Sequence, residues 1–167
     1  NLAEKLDAPV CNGYQHNDSF PGSHPLAVGP LGYNGSKAAM QLISKADVVL
    51  ALGTRLNPFS TLPGYGIDYW PKNANIIQVD MNPDRIGLTK KVTVGIAGDA
   101  KQVAKQILEK LSSSAGNTGR EERKNLIHQT KSAWLQTLTS LDHEEDDPGT
   151  VWNKEARERD KDRMSPR

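Results

Sequence analysis

Asp47-Val48-Val49-Leu50-Ala51-Leu52-Gly53 is an unbroken apolar run closed by glycine. With no polar position between Asp47 and Gly53, it reads as a strand buried on both faces of a parallel sheet. Asn75-Ile76-Ile77-Gln78-Val79-Asp80 repeats the pattern, Val92-Thr93-Val94-Gly95-Ile96 is a weaker third copy, and Pro9-Val10-Cys11 is a short fourth. Helical spacing fills the intervals. Asn34 or Ser36 can cap a helix that places Ala39, Leu42, Ile43 and Ala46 on one face. Asp99 can cap another, with Val103, Ile107, Leu108 and Leu111 on one stripe and Lys101, Lys105, Glu109 and Lys110 elsewhere. Alternation of this kind predicts the α/β class, a doubly wound, mostly parallel sheet with helices on both faces. The strands are expected near 47–52, 75–80 and 92–96, and the helices near 36–45 and 100–111.

The chain has 167 residues, enough for one domain with a real core. Its 21 Lys+Arg stand against 20 Asp+Glu, which removes the bulk electrostatic case for nucleic acid or a membrane face as a partner. No apolar run approaches the ~20 residues that span a bilayer. The single cysteine, Cys11, excludes an intrachain disulfide framework and a zinc site built on several cysteines. These features fit a reduced, cytoplasmic compartment. No charged-then-apolar leader follows Asn1, so a piece of a longer, unsecreted chain is expected.

Apolar residues concentrate before Leu111, which suggests three parts. Residues 1–111 form the core-building domain, incomplete at its N-terminal edge. Residues 112–150 form a linker with one helix, on which Leu126, Ile127, Thr130, Trp134, Leu138 and Leu141 recur at helical spacing. Residues 151–167 lead into a further domain. The small polar run 112–119 and the acidic run 142–149 read as solvated connections.

Open parallel sheets bind ligands beyond the carboxyl ends of their strands. The loops 13–33 and 54–72 follow such ends, are long, and are punctuated by glycine and proline; binding or packing loops have this character. Arg55, just past the first run, could make a bidentate contact with a phosphate or nucleotide, or could pair with a carboxylate or carbonyl to fix its loop. His16 and His24 lack a nearby nucleophile, and His24 before Pro25 reads as loop-shaping. Tyr65, Tyr69 and Trp70 are expected to pack between domains. Asp80 ends a strand as a ribose-binding acid would, but no Gly-x-Gly-x-x-Gly turn accompanies it.

The stretches Phe20-Pro21-Gly22-Ser23-His24-Pro25-Leu26 and Gly29-Pro30-Leu31-Gly32-Tyr33-Asn34-Gly35 resemble a segment in the middle domains of thiamine diphosphate enzymes of the acetolactate synthase and pyruvate oxidase superfamily. Gly53-Thr54-Arg55, Ile76 to Pro83 and Gly98-Asp99-Ala100 resemble the next three signatures in the same order. Within that superfamily, Cys11 to Asp18, Arg55 to Pro71 and Asp84 to Lys91 look like loops of its acetyltransferase branch. An early lysine-glycine pair, usual in the synthases, is replaced here by the insertion Tyr14 to Asp18, so no flavin role transfers.

This resemblance implies a Rossmann-like middle domain. It further implies a homo-oligomeric parent that uses thiamine diphosphate and Mg2+ to convert a small-molecule substrate, sulfoacetaldehyde, with phosphate into acetyl phosphate and sulfite. The cofactor would be held by N- and C-terminal domains of the parent, through an activating glutamate and a Gly-Asp-Gly to Asn motif, neither found in this chain. No residue here inherits a catalytic role, and the chain alone is expected to be inactive and not to bind the cofactor. Alternatives are an acetolactate synthase-like carboligase, a nucleotide-binding middle domain, and, remotely, a sirtuin-like NAD-binding domain suggested by Ala46 to Arg55 and Ile76 to Asp80.

Overall fold

The computed structural model describes residues 1–111, 113 and 118–143. Most of the polar run 112–119, the acidic run from 144 onward and all of 151–167 lie outside the described residues. In chain order the elements are α1 (Leu2–Leu6), β1 (Val10–Asn12), β2 (Ala27–Pro30), α2 (Lys37–Ile43), β3 (Val48–Leu52), α3 (Pro58–Thr61), β4 (Asn75–Asp80), β5 (Val94–Ala97), α4 (Ala100–Lys110) and α5 (Arg120–His143), with a short 3-10 turn at Pro83–Arg85. Among the described residues each of the three pairings between these strands is parallel, so the class is α/β as the sequence predicts. The strands divide between a two-stranded sheet, β1-β2, and a three-stranded sheet, β3-β4-β5.

Local chemistry explains the boundaries. Ser36 caps α2, its hydroxyl accepting from Ala39 N, and the Asp99 carboxylate caps α4 by accepting from Gln102 N at 2.8 Å. Asn57 does the same for α3, where Pro58 supplies the preset first turn. On α2, Ala38, Ala39, Met40, Leu42 and Ile43 are buried, and the helix packs on β2. Met40 and Tyr69 are fully buried in this core, where full burial of a large apolar side chain stabilises by about 1.5–3 kcal/mol.

Three sequence expectations are corrected. Loop 13–33 contains a strand, β2, and loop 54–72 contains a helix, α3, each too short to show a period. Tyr69 and Trp70 pack into this chain's own core rather than between domains. β3 is also not buried on both faces: Val48 is 51% and Leu52 37% exposed, because β3 is an edge strand, and only the central β4 has the expected burial.

The chain divides into two compact units, 1–131 and 132–167, with the break inside α5. Within the first unit the start of α5 is fixed by polar contacts. Arg120 Nε lies 2.5 Å from the buried Asp7 carboxylate, and Arg123 Nη2 donates to Leu6 O. Lys131 Nζ donates to Pro25 O at 2.8 Å, and Ile127 is buried among the residues around Leu42.

Candidate functional site at the strand ends

Three strand-end loops meet at α3. Tyr14, after β1, donates its N–H to Ser60 Oγ at 3.1 Å, and Tyr33, after β2, donates its N–H to Phe59 O at 3.0 Å. The rings follow: Tyr14 stacks on Phe59 with centroids 6.1 Å apart and meets Tyr33 edge-on at 6.3 Å. Tyr65 donates its hydroxyl to Gly35 O at 2.9 Å. Tyr33, Phe59 and Tyr65 remain more than half exposed, so the carboxyl end of the fold presents an aromatic surface held by backbone bonds.

A second cluster fixes the turn that carries Arg55. Gln78 projects from β4 and is 1% exposed, with every polar atom engaged. Its Nε2 donates to Thr54 O at 3.0 Å and Arg85 O at 3.2 Å, and its Oε1 accepts from Gly87 N at 2.8 Å. The Thr89 hydroxyl lies within donating reach of Arg55 O (2.9 Å) and Leu56 O (2.8 Å). Leu56 is held at φ 51° while buried, a left-handed conformation that these bonds maintain. The Arg55 backbone is therefore fixed while its side chain is exposed, and among the described residues no carboxylate or carbonyl meets its guanidinium. The turn begins against α4: a Cβ on Gly53 would stand 3.5 Å from Ala100 Cβ.

The other sequence candidates are dispersed. His24 accepts at Nδ1 from Leu26 N (3.1 Å), which leaves the proton on Nε2, 3.3 Å from Glu4 Oε1, so this ring shapes its loop. His16 is exposed, and among the described residues nothing joins it to His24 or Arg55. The Asp80 carboxylate accepts from Asn82 N at 2.8 Å and shapes the turn after β4. Sequence reasoning missed Gln78 and Thr89. A lone amide inside the apolar run Asn75 to Asp80 was the available signal for Gln78; Thr89 gave none.

These residues do not fit a metal-diphosphate site. Among the described residues no three His, Cys, Asp or Glu side chains come together to hold an ion, and the side-chain oxygens at the Arg55 turn are the hydroxyls of Thr54 and Thr89 rather than the carboxylates that anchor Mg2+. Nor is any described helix long and apolar enough to cross a membrane.

Parallel strands with helical connections and elaborated strand-end loops agree with the comparison to known families. Residues 1–107 match the thiamine pyrophosphate enzyme central domain, and the chain belongs to that family. It is 81% identical over 166 residues to a probable sulfoacetaldehyde acetyltransferase of Rhizobium meliloti (strain 1021), and 76% identical over 166 residues to a sulfoacetaldehyde acetyltransferase of Roseovarius nubinhibens. Each match covers 99% of this chain and 28% of the relative. A probable acetolactate synthase large subunit of Methanocaldococcus jannaschii is 38% identical over 140 residues, covering 84% of this chain and 21% of the relative. The chain thus spans just over a quarter of the length of the acetyltransferases it matches.

Proposed function

We propose that this chain is the central-domain portion of a thiamine diphosphate-dependent acetyltransferase that converts sulfoacetaldehyde and phosphate into acetyl phosphate and sulfite in cytoplasmic sulfonate metabolism. The observation that carries the reading is the gap in identity, 81% to the acetyltransferase relative against 38% to the synthase relative, over a match that includes both long strand-end loops. The alternative is an acetolactate synthase-like carboligase.

In this reading residues 1–111 are the middle domain, 112–150 a helical linker and 151–167 a lead-in to the cofactor-binding domain. Thiamine diphosphate, anchored by Mg2+ in the other domains of a homo-oligomer, supplies the carbanion and electron sink. This chain contributes structure. Its loops, tied through Ser60 and Phe59, offer a preformed surface to the neighbouring domains. Arg55 holds a phosphate group of a nucleotide, for which a planar guanidinium on a fixed turn is suited.

The test is an assay of the full-length protein, supplied with thiamine diphosphate and Mg2+, for sulfite released from sulfoacetaldehyde with and without phosphate. Phosphate-dependent sulfite and acetyl phosphate in equal amounts support the proposal. Acetolactate from pyruvate without sulfite overturns it in favour of the carboligase. For Arg55, calorimetric titration with ADP should give binding that Arg55→Ala abolishes; no heat with the unsubstituted protein returns Arg55 to a structural role.

A further inference from the structure

His24 sits where α1, the start of β2 and α5 meet, and its side chain is 25% exposed. Its ring Nδ1 accepts from Leu26 N at 3.1 Å, and Nε2 lies 3.3 Å from Glu4 Oε1 on α1. The Phe20 ring meets it edge-on, with centroids 5.0 Å apart. Its backbone is engaged as well. The His24 carbonyl accepts from Ala27 N, the first residue of β2, at 2.9 Å and from Lys131 Nζ at 3.4 Å. The next carbonyl, Pro25 O, accepts from the same Lys131 Nζ at 2.8 Å. The dipeptide that carries the ring is thus also the one that holds Lys131 of α5.

A histidine ring accepts a hydrogen bond only while it is neutral, because both nitrogens of the imidazolium are donors. Leu26 is buried, and its carbonyl accepts from Val10 N at 2.8 Å where β1 meets β2. Protonation at Nδ1 therefore sets two N–H donors against each other at a buried amide, an arrangement that cannot persist. Nε2 keeps its hydrogen throughout, and the Glu4 carboxylate attracts the charged ring. The charged groups around the ring are Glu4 from α1 and, against its own carbonyl, the ammonium of Lys131 from α5. The other Glu4 oxygen pairs with the Asn1 amino group at 2.9 Å.

We propose that His24 is a pH-sensitive clasp for α5: the neutral ring holds Leu26 N and keeps the His24 and Pro25 carbonyls on Lys131, and protonation at Nδ1 turns the ring to Glu4, withdraws those carbonyls and frees Lys131. Arg120 and Arg123 stay charged and keep the first turn of α5 on Asp7 and Leu6 O, so the loosening is confined to the turn that carries Lys131. The clasp is independent of the reaction assigned to the parent.

The test is amide hydrogen exchange of the 167-residue chain at about pH 8 and about pH 5.5, on either side of the range in which histidines titrate. Each rate is divided by that of the unfolded amide at the same pH. Protection at Leu26 should fall at least about ten-fold on acidification, while Val79 in β4 and Ile107 in α4 keep theirs. In His24→Asn the side-chain oxygen can accept from the N–H two residues on without titrating, so Leu26 should stay protected at both pH values. Lys131→Met should lower the urea midpoint at the higher pH and leave it unchanged at the lower. Unchanged Leu26 protection in the unsubstituted chain, or an equal Lys131→Met loss at both pH values, overturns the proposal. So does an acid loss that persists in His24→Asn, which assigns it to His16, His128 or the amino group. If His24→Asn does not fold, the ring Cε1 proton of His24 is followed in the unsubstituted chain by NMR. Its titration midpoint should equal that of the Leu26 amide shift, and different midpoints overturn the clasp.

Discussion

A Cβ on Gly32 would lie 1.9 Å from the Phe59 carbonyl oxygen, the same oxygen that accepts the Tyr33 N–H at 3.0 Å. The loop after β2 and the helix after β3 approach so closely that only a hydrogen fits between them, and Gly32 also sits at φ +84°.

Gly32→Ala therefore has to separate the two loops and adopt a disfavoured backbone conformation. The expected loss of stability is about 3 kcal/mol, from strain and overpacking together. Urea denaturation measures it, and quenching differences at the Tyr14 and Tyr33 rings should show the loops moving apart. An unchanged midpoint contradicts the close contact.

Gln78→Leu leaves Thr54 O, Arg85 O and Gly87 N without their side-chain partner. The expected cost is about 2–4 kcal/mol, since buried polar groups are left unsatisfied. Amide exchange should accelerate at Gly87 and around Thr54 before the rest of the sheet opens. A cost below about 0.5 kcal/mol would mean that the three loops hold themselves.

Burial pushes the Cys11 thiol up to about 12, whereas an unfolded cysteine titrates near 8.5. Below that lower value both states keep the proton and stability is complete. Above it the unfolded chain releases a proton that the folded chain retains, so stability falls by about 1.4 kcal/mol per pH unit until roughly pH 12. Tyr69, also raised to about 12 chiefly by burial, adds a slope of the same sign above about pH 10. Denaturation measured from pH 8 to pH 10 should show the first slope, and Cys11→Ala should remove it. A flat profile in the unsubstituted chain contradicts the buried thiol.

The strands and helices that position the site were legible where apolar periodicity was long enough. β3, β4, α2 and α4 fall within a few residues of their expected bounds, and the Ser36 and Asp99 caps are where the sequence places them. β2 was hidden because Ala27–Pro30 is short and ends in proline, and α3 because its one turn has no period to read. The exposure of Val48 and Leu52 could not be read either, since an apolar run reports what a strand is suited to and not which neighbours are present. At the site, Arg55 was singled out by its place after a buried strand. The cluster that fixes its turn depends on Gln78 and Thr89 reaching loops up to 34 residues away in the chain, and no local pattern encodes that.

If this chain is a structural central domain whose cofactor is held elsewhere, it should not retain thiamine diphosphate by itself. The direct measurement is calorimetric titration of the 167-residue chain with thiamine diphosphate and Mg2+. No heat of binding at ligand concentrations up to about 1 mM, an affinity weaker than roughly 4 kcal/mol, is the expected result. Saturable micromolar binding would place the cofactor site on this chain and contradict the structural role.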